Sequence, residues 1–243
     1  MPSWQMLKGD ALAVLRDLPD ASVDAVVTDP PYSSGGMMRS DRNGDPSKKY
    51  VSTDAAQAGG SFSGDNRDQR SFAYWETLWP AQCLRVTKPG GIVVVFTDWR
   101  QLPSTTDAVQ AGGWVWRGVA TWAKTTGRPV RGGFRNQSEF MVWGSNGPMP
   151  KASDTYLPGV IQTSIARGAD KHHITAKPVD LMQVVTQVAP PGGVVLDPFA
   201  GSGSTGVGAL LAGRDFIGVE MTDHYHAVAV DRLTATERLD QPA

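Results

Sequence analysis

The chain has 243 residues, a formal net charge of -1 at pH 7, 40% hydrophobic and 19% charged residues. That length and balance fit one domain with a substantial core and exclude a uniformly basic nucleic-acid binder, so any such surface has to be a local patch. The single cysteine, Cys83, excludes an intrachain disulfide framework, and no apolar run nears the roughly 18 residues of a membrane span or follows a basic leader, so a soluble, unprocessed, intracellular (cytoplasmic) protein with no membrane partner is expected.

Along the chain, apolar β-rich runs alternate with helical patterns. Trp4 to Leu7 reads as a strand ending at Gly9-Asp10, and Ala11 to Leu18 has apolar residues at helical spacing until Pro19 stops it. Ala25 to Thr28 is a strand, and Asp29-Pro30-Pro31-Tyr32 follows it directly. A long polar segment, 33–71, then shows no apolar periodicity; a loop of this length is usually functional or disordered, and here it is expected to close over the site as a mobile loop. Phe72 to Arg85 is helix-like with Pro80 as a possible kink, and Lys88 to Gly91 reads as a turn. Gly91 to Phe96 is a continuous apolar strand, as in a sheet covered on both faces. Leu102 to Ala111 suggests a helix; Trp114 to Trp122 and Ser138 to Trp143 suggest strands joined by a Gly/Arg loop; 145–167 looks irregular. Pro178 to Val188 is an amphipathic helix, Val194 to Leu196 a strand, Ser204 to Ala212 a helix, Asp215 to Val219 a strand and His224 to Glu237 a final helix. Strands alternating with helices argue a doubly wound α/β sheet in a single domain over 1–243.

The glycines Gly201, Gly203 and Gly206 match G-x-G-x-x-G between a strand and a helix, and Glu220 closes the next strand. That is a dinucleotide-type βαβ arrangement: the glycines let backbone approach a ligand, and the acid accepts ribose hydroxyls. Asp197 ends the strand where a pyrophosphate would meet it, which argues against NAD. A cationic ligand with a ribose, such as S-adenosylmethionine, suits that charge.

Asp29-Pro30-Pro31-Tyr32 followed late in the chain by Asp197-Pro198-Phe199-Ala200-Gly201-Ser202-Gly203-Ser204-Thr205 resembles the S-adenosylmethionine-dependent DNA amino-methyltransferases, which act on the exocyclic amines of adenine or cytosine. Catalytic motif first and glycines last is the order of the β group. Gly9-Asp10-Ala11-Leu12 resembles the family segment whose acid meets the cofactor adenine. His173-Ile174-Thr175-Ala176-Lys177-Pro178 resembles the His-Pro-Thr-Gln-Lys-Pro segment that encloses the methionine moiety, with departures at Ile174 and Ala176. The resemblance implies a seven-stranded, mostly parallel, Rossmann-like methyltransferase sheet in circularly permuted order. Its one antiparallel strand is assigned to Ser138 to Trp143. It also implies Asp29, Pro30, Pro31 and Tyr32 as catalytic residues. Asp10, Ala11, His173, Thr175, Lys177, Asp197, Phe199, Gly201, Ser202, Gly203, Ser204, Thr205 and Glu220 are implied around the cofactor.

The chemistry explains the catalytic motif. An exocyclic amine is a poor nucleophile because its lone pair is delocalised into the ring. A carboxylate at Asp29 and the fixed carbonyl of Pro30 offer two acceptors for its N–H bonds, and Tyr32 offers a stacking face. The base has to be flipped out of a duplex to reach them. Between Trp114 and Ser138 lie Arg117, Lys124, Arg128, Arg131 and Arg135 and no acidic residue. Lys124, Arg128, Arg131 and Arg135, with Lys48 and Lys49 of the long loop, are candidate phosphate contacts, a solvated loop being the plainer alternative. Target recognition is assigned to 124–135 and 145–171. Such short segments suggest that a homodimer grips the site.

His172-His173 lacks the partners of a metal site, so none is expected. Trp99, at a strand's carboxyl end, is the tryptophan most suited to meet a base. Adenine N6 methylation in double-stranded DNA is the leading expectation, because Asp at the first motif position leans to adenine in the family. Cytosine N4 methylation, an RNA or protein amide target, and a DNA-binding protein without catalysis are the alternatives.

Overall fold

The computed structural model of the protein describes residues 2–32, 67–149, 156–164 and 177–239. Among these, eight strands form one sheet: β1 (Trp4–Lys8), β2 (Val23–Thr28), β3 (Thr87–Thr97), β4 (Val115–Arg128), β5 (Asn136–Ser145), β6 (Val160–Thr163), β7 (Val194–Asp197) and β8 (Asp215–Glu220). Their order across the sheet is β1-β8-β7-β2-β3-β5-β4-β6. The strand read from Ser138 to Trp143, β5, is antiparallel to both neighbours, and every other pairing is parallel.

The doubly wound, mostly parallel sheet is as expected, with eight strands in place of seven. The extra one, β6, lies in the stretch read as irregular. It is four residues long and pairs its backbone with Thr121 to Lys124 at the sheet's edge. A strand so short, with one buried side chain, carries no periodicity to read.

Alternation along β2 and β3 sends side chains to both faces. Val26, Val93 and Val95 pack with Leu15 of α1 (Ala11–Asp17), Trp79 and Cys83 of α2 (Gln69–Val86) and Val109 of α3 (Leu102–Ala111). Ala25, Val27, Val94 and Phe96 pack with Leu181 and Met182 of α4 (Val179–Val185), Val207 and Leu210 of α5 (Ser204–Leu211) and Leu233 of α6 (Asp223–Leu239). Two covered faces explain the nearly unbroken apolar runs; each fully buried Val or Leu contributes roughly 1.5–3 kcal/mol.

Several boundaries move. The Lys88 to Gly91 turn signal is real but falls inside β3, where pairing jumps from Val23 opposite Thr87 to Ala25 opposite Ile92. Glycine and proline there build a bulge. β4 runs on to Arg128, so Lys124 belongs to the sheet and only the last residues of 124–135 form a turn. α2 starts inside the segment read as loop: the Asp68 carboxylate accepts from the backbone N–H groups of Arg70 and Ser71, both at 3.0 Å. Residues 33–66 of that segment, and with them the closing-loop expectation and Lys48 and Lys49, lie outside the described residues. α2 continues through Pro80, whose carbonyl accepts from Trp114 Nε1 at 2.9 Å.

The core-facing stripe of α2 is Phe72, Glu76, Trp79, Pro80 and Cys83. Glu76, 1% exposed, stands where an apolar residue would be expected. Its Oε1 accepts from the Thr105 hydroxyl at 2.7 Å, which lies 3.0 Å from the Thr97 hydroxyl, and its Oε2 has no partner among the described residues. Burial lifts its pKa from 4.5 to about 7.

Candidate active site

Parallel strands put the carboxyl ends of β1, β8, β7, β2 and β3 on one edge, where open α/β sheets bind ligands. Asp10, Glu220, the glycine turn and Asp29 therefore follow one another along that edge. Because β5 is reversed, its amino end reaches the same edge: Phe140 pairs with Thr97 and Glu139 with Trp122.

On the glycine side, Gly201 and Gly203 take φ of 51° and 80°, the left-handed region that glycine adopts freely. A Cβ at Gly201 would meet no atom of the described residues within 4 Å, so among them the space above the turn is open. Gly206 serves packing instead, since a Cβ there would lie 2.5 Å from the Phe216 ring. The Glu220 Oε2 accepts from Gly201 N–H at 3.1 Å, and Oε1 from the Thr222 N–H and hydroxyl at 2.8 and 2.7 Å. Its remaining lone pairs can take ribose hydroxyls. The exposed Asp10 caps α1, accepting from Ala13 N–H at 3.1 Å, and Ala11 is buried beneath it. His173 and Thr175 lie outside the described residues.

Five residues grouped with the cofactor turn inward. Asp197 is 1% exposed and accepts from the Thr28 hydroxyl at 2.7 Å, Phe199 N–H at 3.0 Å and the Thr205 hydroxyl at 2.5 Å. Burial raises its pKa to about 6 despite these donors. Its charge thus braces the end of β2 against the start of α5, which corrects the expectation that it meets a cationic ligand; Thr205 is spent on the same bracket. Phe199 packs between Trp75 and Trp79, ring centroids 5.5 and 5.4 Å away. Ser202 and Ser204 are buried, and both hydroxyls lie 3.2 Å from Arg232 Nη1, which also donates to the Ser202 carbonyl at 2.7 Å. The clamp that Arg232 of α6 forms on the turn was not read from sequence.

Beside the glycine turn, Thr28 leads into Asp29. The Tyr32 hydroxyl donates to Asp29 Oδ1, and buried Lys177 donates to Asp29 Oδ2 at 2.5 Å. Lys177 Nζ also lies 3.2 Å from Glu139 Oε2 and 3.1 Å from the Tyr32 hydroxyl, and Glu139 Oε1 pairs with Lys124. Two carboxylates and two ammoniums thus balance in one partly buried cluster. Burial holds the Asp29 carboxyl above its ordinary range, Lys177 pulls it back, and the Glu139 charge adds to the rise. Burial and the Asp29 and Glu139 charges push the Tyr32 hydroxyl well up. Burial alone would lower Lys177, but the two carboxylates keep it above its usual value. Burial also opposes ionisation of Glu139, but Lys177 and Lys124 outweigh it and hold the carboxyl below its usual value. Lys177, grouped by motif with the cofactor, thus stands at the Asp29 carboxylate. Glu139 was missed altogether.

The candidate phosphate contacts divide. Lys124 is committed to Glu139 and stacked 5.0 Å from the Trp122 ring, a correction to its grouping with free cations. Arg131 and Arg135 are exposed at the β4–β5 tip; the Arg128 side chain is outside the described ones. Trp99 is half-exposed beneath the Arg100 guanidinium at 5.0 Å. Among the described residues no helix is long and apolar enough to cross a membrane.

The sequence model described as "DNA methylase" matches residues 23–160 and 149–231. The chain belongs to the DNA methylase family. YubD of Escherichia coli (strain K12) is similar to it, 30% identical over 241 residues, covering 98% of this chain and 93% of that one. Among solved structures, the M1.HpyAVI–SAM complex is 24% identical with a TM-score of 0.69, covering 95% of this chain and 98% of that one. PvuII DNA methyltransferase, named as cytosine-N4-specific, is 20% identical with a TM-score of 0.70, covering 96% and 86%. These structures share the fold. The methyl donor of this DNA methylase is S-adenosylmethionine. The open space at Gly201 and the free lone pairs of Glu220 fit it. Since Asp197 faces inward, the cofactor follows from the family and not from that charge.

Proposed function

We propose that this DNA methylase transfers a methyl group to the N6 amine of a flipped-out adenine in double-stranded DNA. The observation that carries the reading is the Asp29 carboxylate at the end of β2, joined through Thr28 and Asp197 to the glycine turn, with Tyr32 hydrogen-bonded beside it. S-adenosylmethionine, when bound, supplies an electrophilic methyl on a sulfonium. Glu220, Asp10 and the backbone of Gly201 to Gly203 hold that donor. The incoming amine donates to an Asp29 oxygen and to the Pro30 carbonyl, which localises its lone pair. Asp29 has one donor on each oxygen and keeps lone pairs for the amine. Glu139, 3.2 Å from Lys177 and 3.5 Å from the Tyr32 hydroxyl, helps to hold both donors in place. Positive charge then develops on the amine nitrogen as its bond to the methyl carbon forms and the carbon–sulfur bond breaks, its electron pair staying on the sulfur, and the fixed acceptors stabilise that charge. The amine finally sheds one proton by way of Asp29.

Labelled S-adenosylmethionine mixed with protein and plasmid DNA tests this. Label should enter DNA as N6-methyladenine, and Asp29→Ala should lower transfer by at least about a hundredfold with cofactor affinity kept. Label absent from DNA, or retained activity in that variant, refutes the reading. The second reading is cytosine N4 methylation, favoured by the likeness to PvuII methyltransferase; both amines present the same two N–H bonds, and nucleoside analysis of the product separates them. The homodimer belongs to the proposal as well, and a monomer mass by light scattering refutes it.

A further inference from the structure

β4 and β5 join in a hairpin closed by Arg128 opposite Asn136. Its tip is an ordered turn: Gly133 N–H donates to the Val130 carbonyl at 3.2 Å, and Gly132 takes a φ of 71°. Directly after it stands Phe134, 97% exposed. Single exposed apolar residues are ordinary on a surface. This one differs in its setting. Val130 on the same turn is half-exposed, the exposed Arg131 and Arg135 flank Phe134, and no acidic residue occurs between Trp114 and Ser138. The chain then enters β5 and reaches Glu139 of the Asp29 cluster within five residues, at most about 18 Å of extended backbone. That span is comparable with the major groove, about 12 Å wide. An aromatic point between two cations therefore overhangs the edge on which Asp29 lies.

Resting on the reading that the protein methylates a base in duplex DNA, we propose that Phe134 is a wedge that enters the base stack as the target base leaves it. Apolar side chains between base steps unstack and kink a duplex, and an aromatic face replaces stacking that extrusion removes. Arg131 and Arg135 take the phosphates on either side and add salt dependence. Phe134 has no hydrogen-bonding group, so its contribution is the same whatever sequence surrounds the target. Site recognition falls to other residues.

The test uses the full chain and a duplex bearing a site found methylated in plasmid DNA. A second duplex is identical except that the target base faces an abasic position, so little pairing has to be broken. Phe134→Ala should lower kcat/KM on the paired duplex by roughly ten- to hundredfold and on the abasic one by no more than about threefold. Phe134→Trp should stay near the unaltered protein, and cofactor affinity by calorimetry and mass by light scattering should not change in either variant. Equal loss on both duplexes, no loss at all, or loss accompanied by a change in mass overturns the wedge; the last would make Phe134 a contact between copies. If the unaltered protein methylates neither duplex nor plasmid, the underlying reading falls and the wedge falls with it.

Discussion

Replacing Glu76 by Gln tests the electrostatics of the core directly. The carboxyl is buried between α2 and α3 with one donor, Thr105, and a second oxygen that has none. Its pKa in the folded protein is about 7 against an ordinary 4.5. The folded state therefore binds the proton more tightly than the unfolded state. Its contribution is intact below pH 4.5 and is lost as pH rises through 7. Each pKa unit corresponds to roughly 1.4 kcal/mol, so the ionised form costs about 3 kcal/mol when fully developed. Gln keeps the acceptor for Thr105 and cannot ionise. Urea unfolding of both proteins at pH 5 and pH 8 measures the difference. The stability of Glu76→Gln relative to the native chain should rise by about 2 to 3 kcal/mol between those pH values. Asp197 titrates in the same direction in both proteins and cancels in the comparison. A gap that stays constant from pH 5 to pH 8 would refute the reasoning.

Glu139→Gln removes a negative charge that raises the Asp29 pKa, so the acid limb of kcat should move to lower pH, and a limb that stays in place would leave Glu139 with a packing role only. Glu220→Ala should weaken S-adenosylmethionine binding about ten- to hundredfold by calorimetry, since hydrogen bonds to a charged acceptor are lost. Unchanged affinity would rule out Glu220 as the ribose acceptor.

What the chain disclosed about itself followed the range of the forces involved. β2, β3 and β5 were legible because burial on both faces writes apolar runs into contiguous residues. The Asp29 and glycine motifs were legible because each needs neighbouring residues of fixed type. β6 was not, because its partner lies in β4 some forty residues away and its own four residues carry no pattern. Lys177 and Glu139 were misplaced or missed for the same reason. Their cluster joins residues up to 148 positions apart, and only the reversal of β5 brings Glu139 to the catalytic edge. Asp197 was misread because its charge was visible and its donors, Thr28 and Thr205, were not.

The reversal of β5 has an evolutionary consequence. The consecutive parallel neighbours β2 and β3, and β7 and β8, are joined by crossovers that include α2 and α5, which pack on the sheet, so altering those helices disturbs the core. β4 and β5 are joined by a hairpin, whose strands reach the edge that holds Asp29 while its tip, 129–135, is exposed. Residues can be inserted, deleted or exchanged at 129–135 without repacking either helical layer. The exposed tip is thus free to drift faster than the packed layers beneath it, and grafting this one hairpin between relatives is the smallest operation that exchanges Phe134 and its two flanking arginines together.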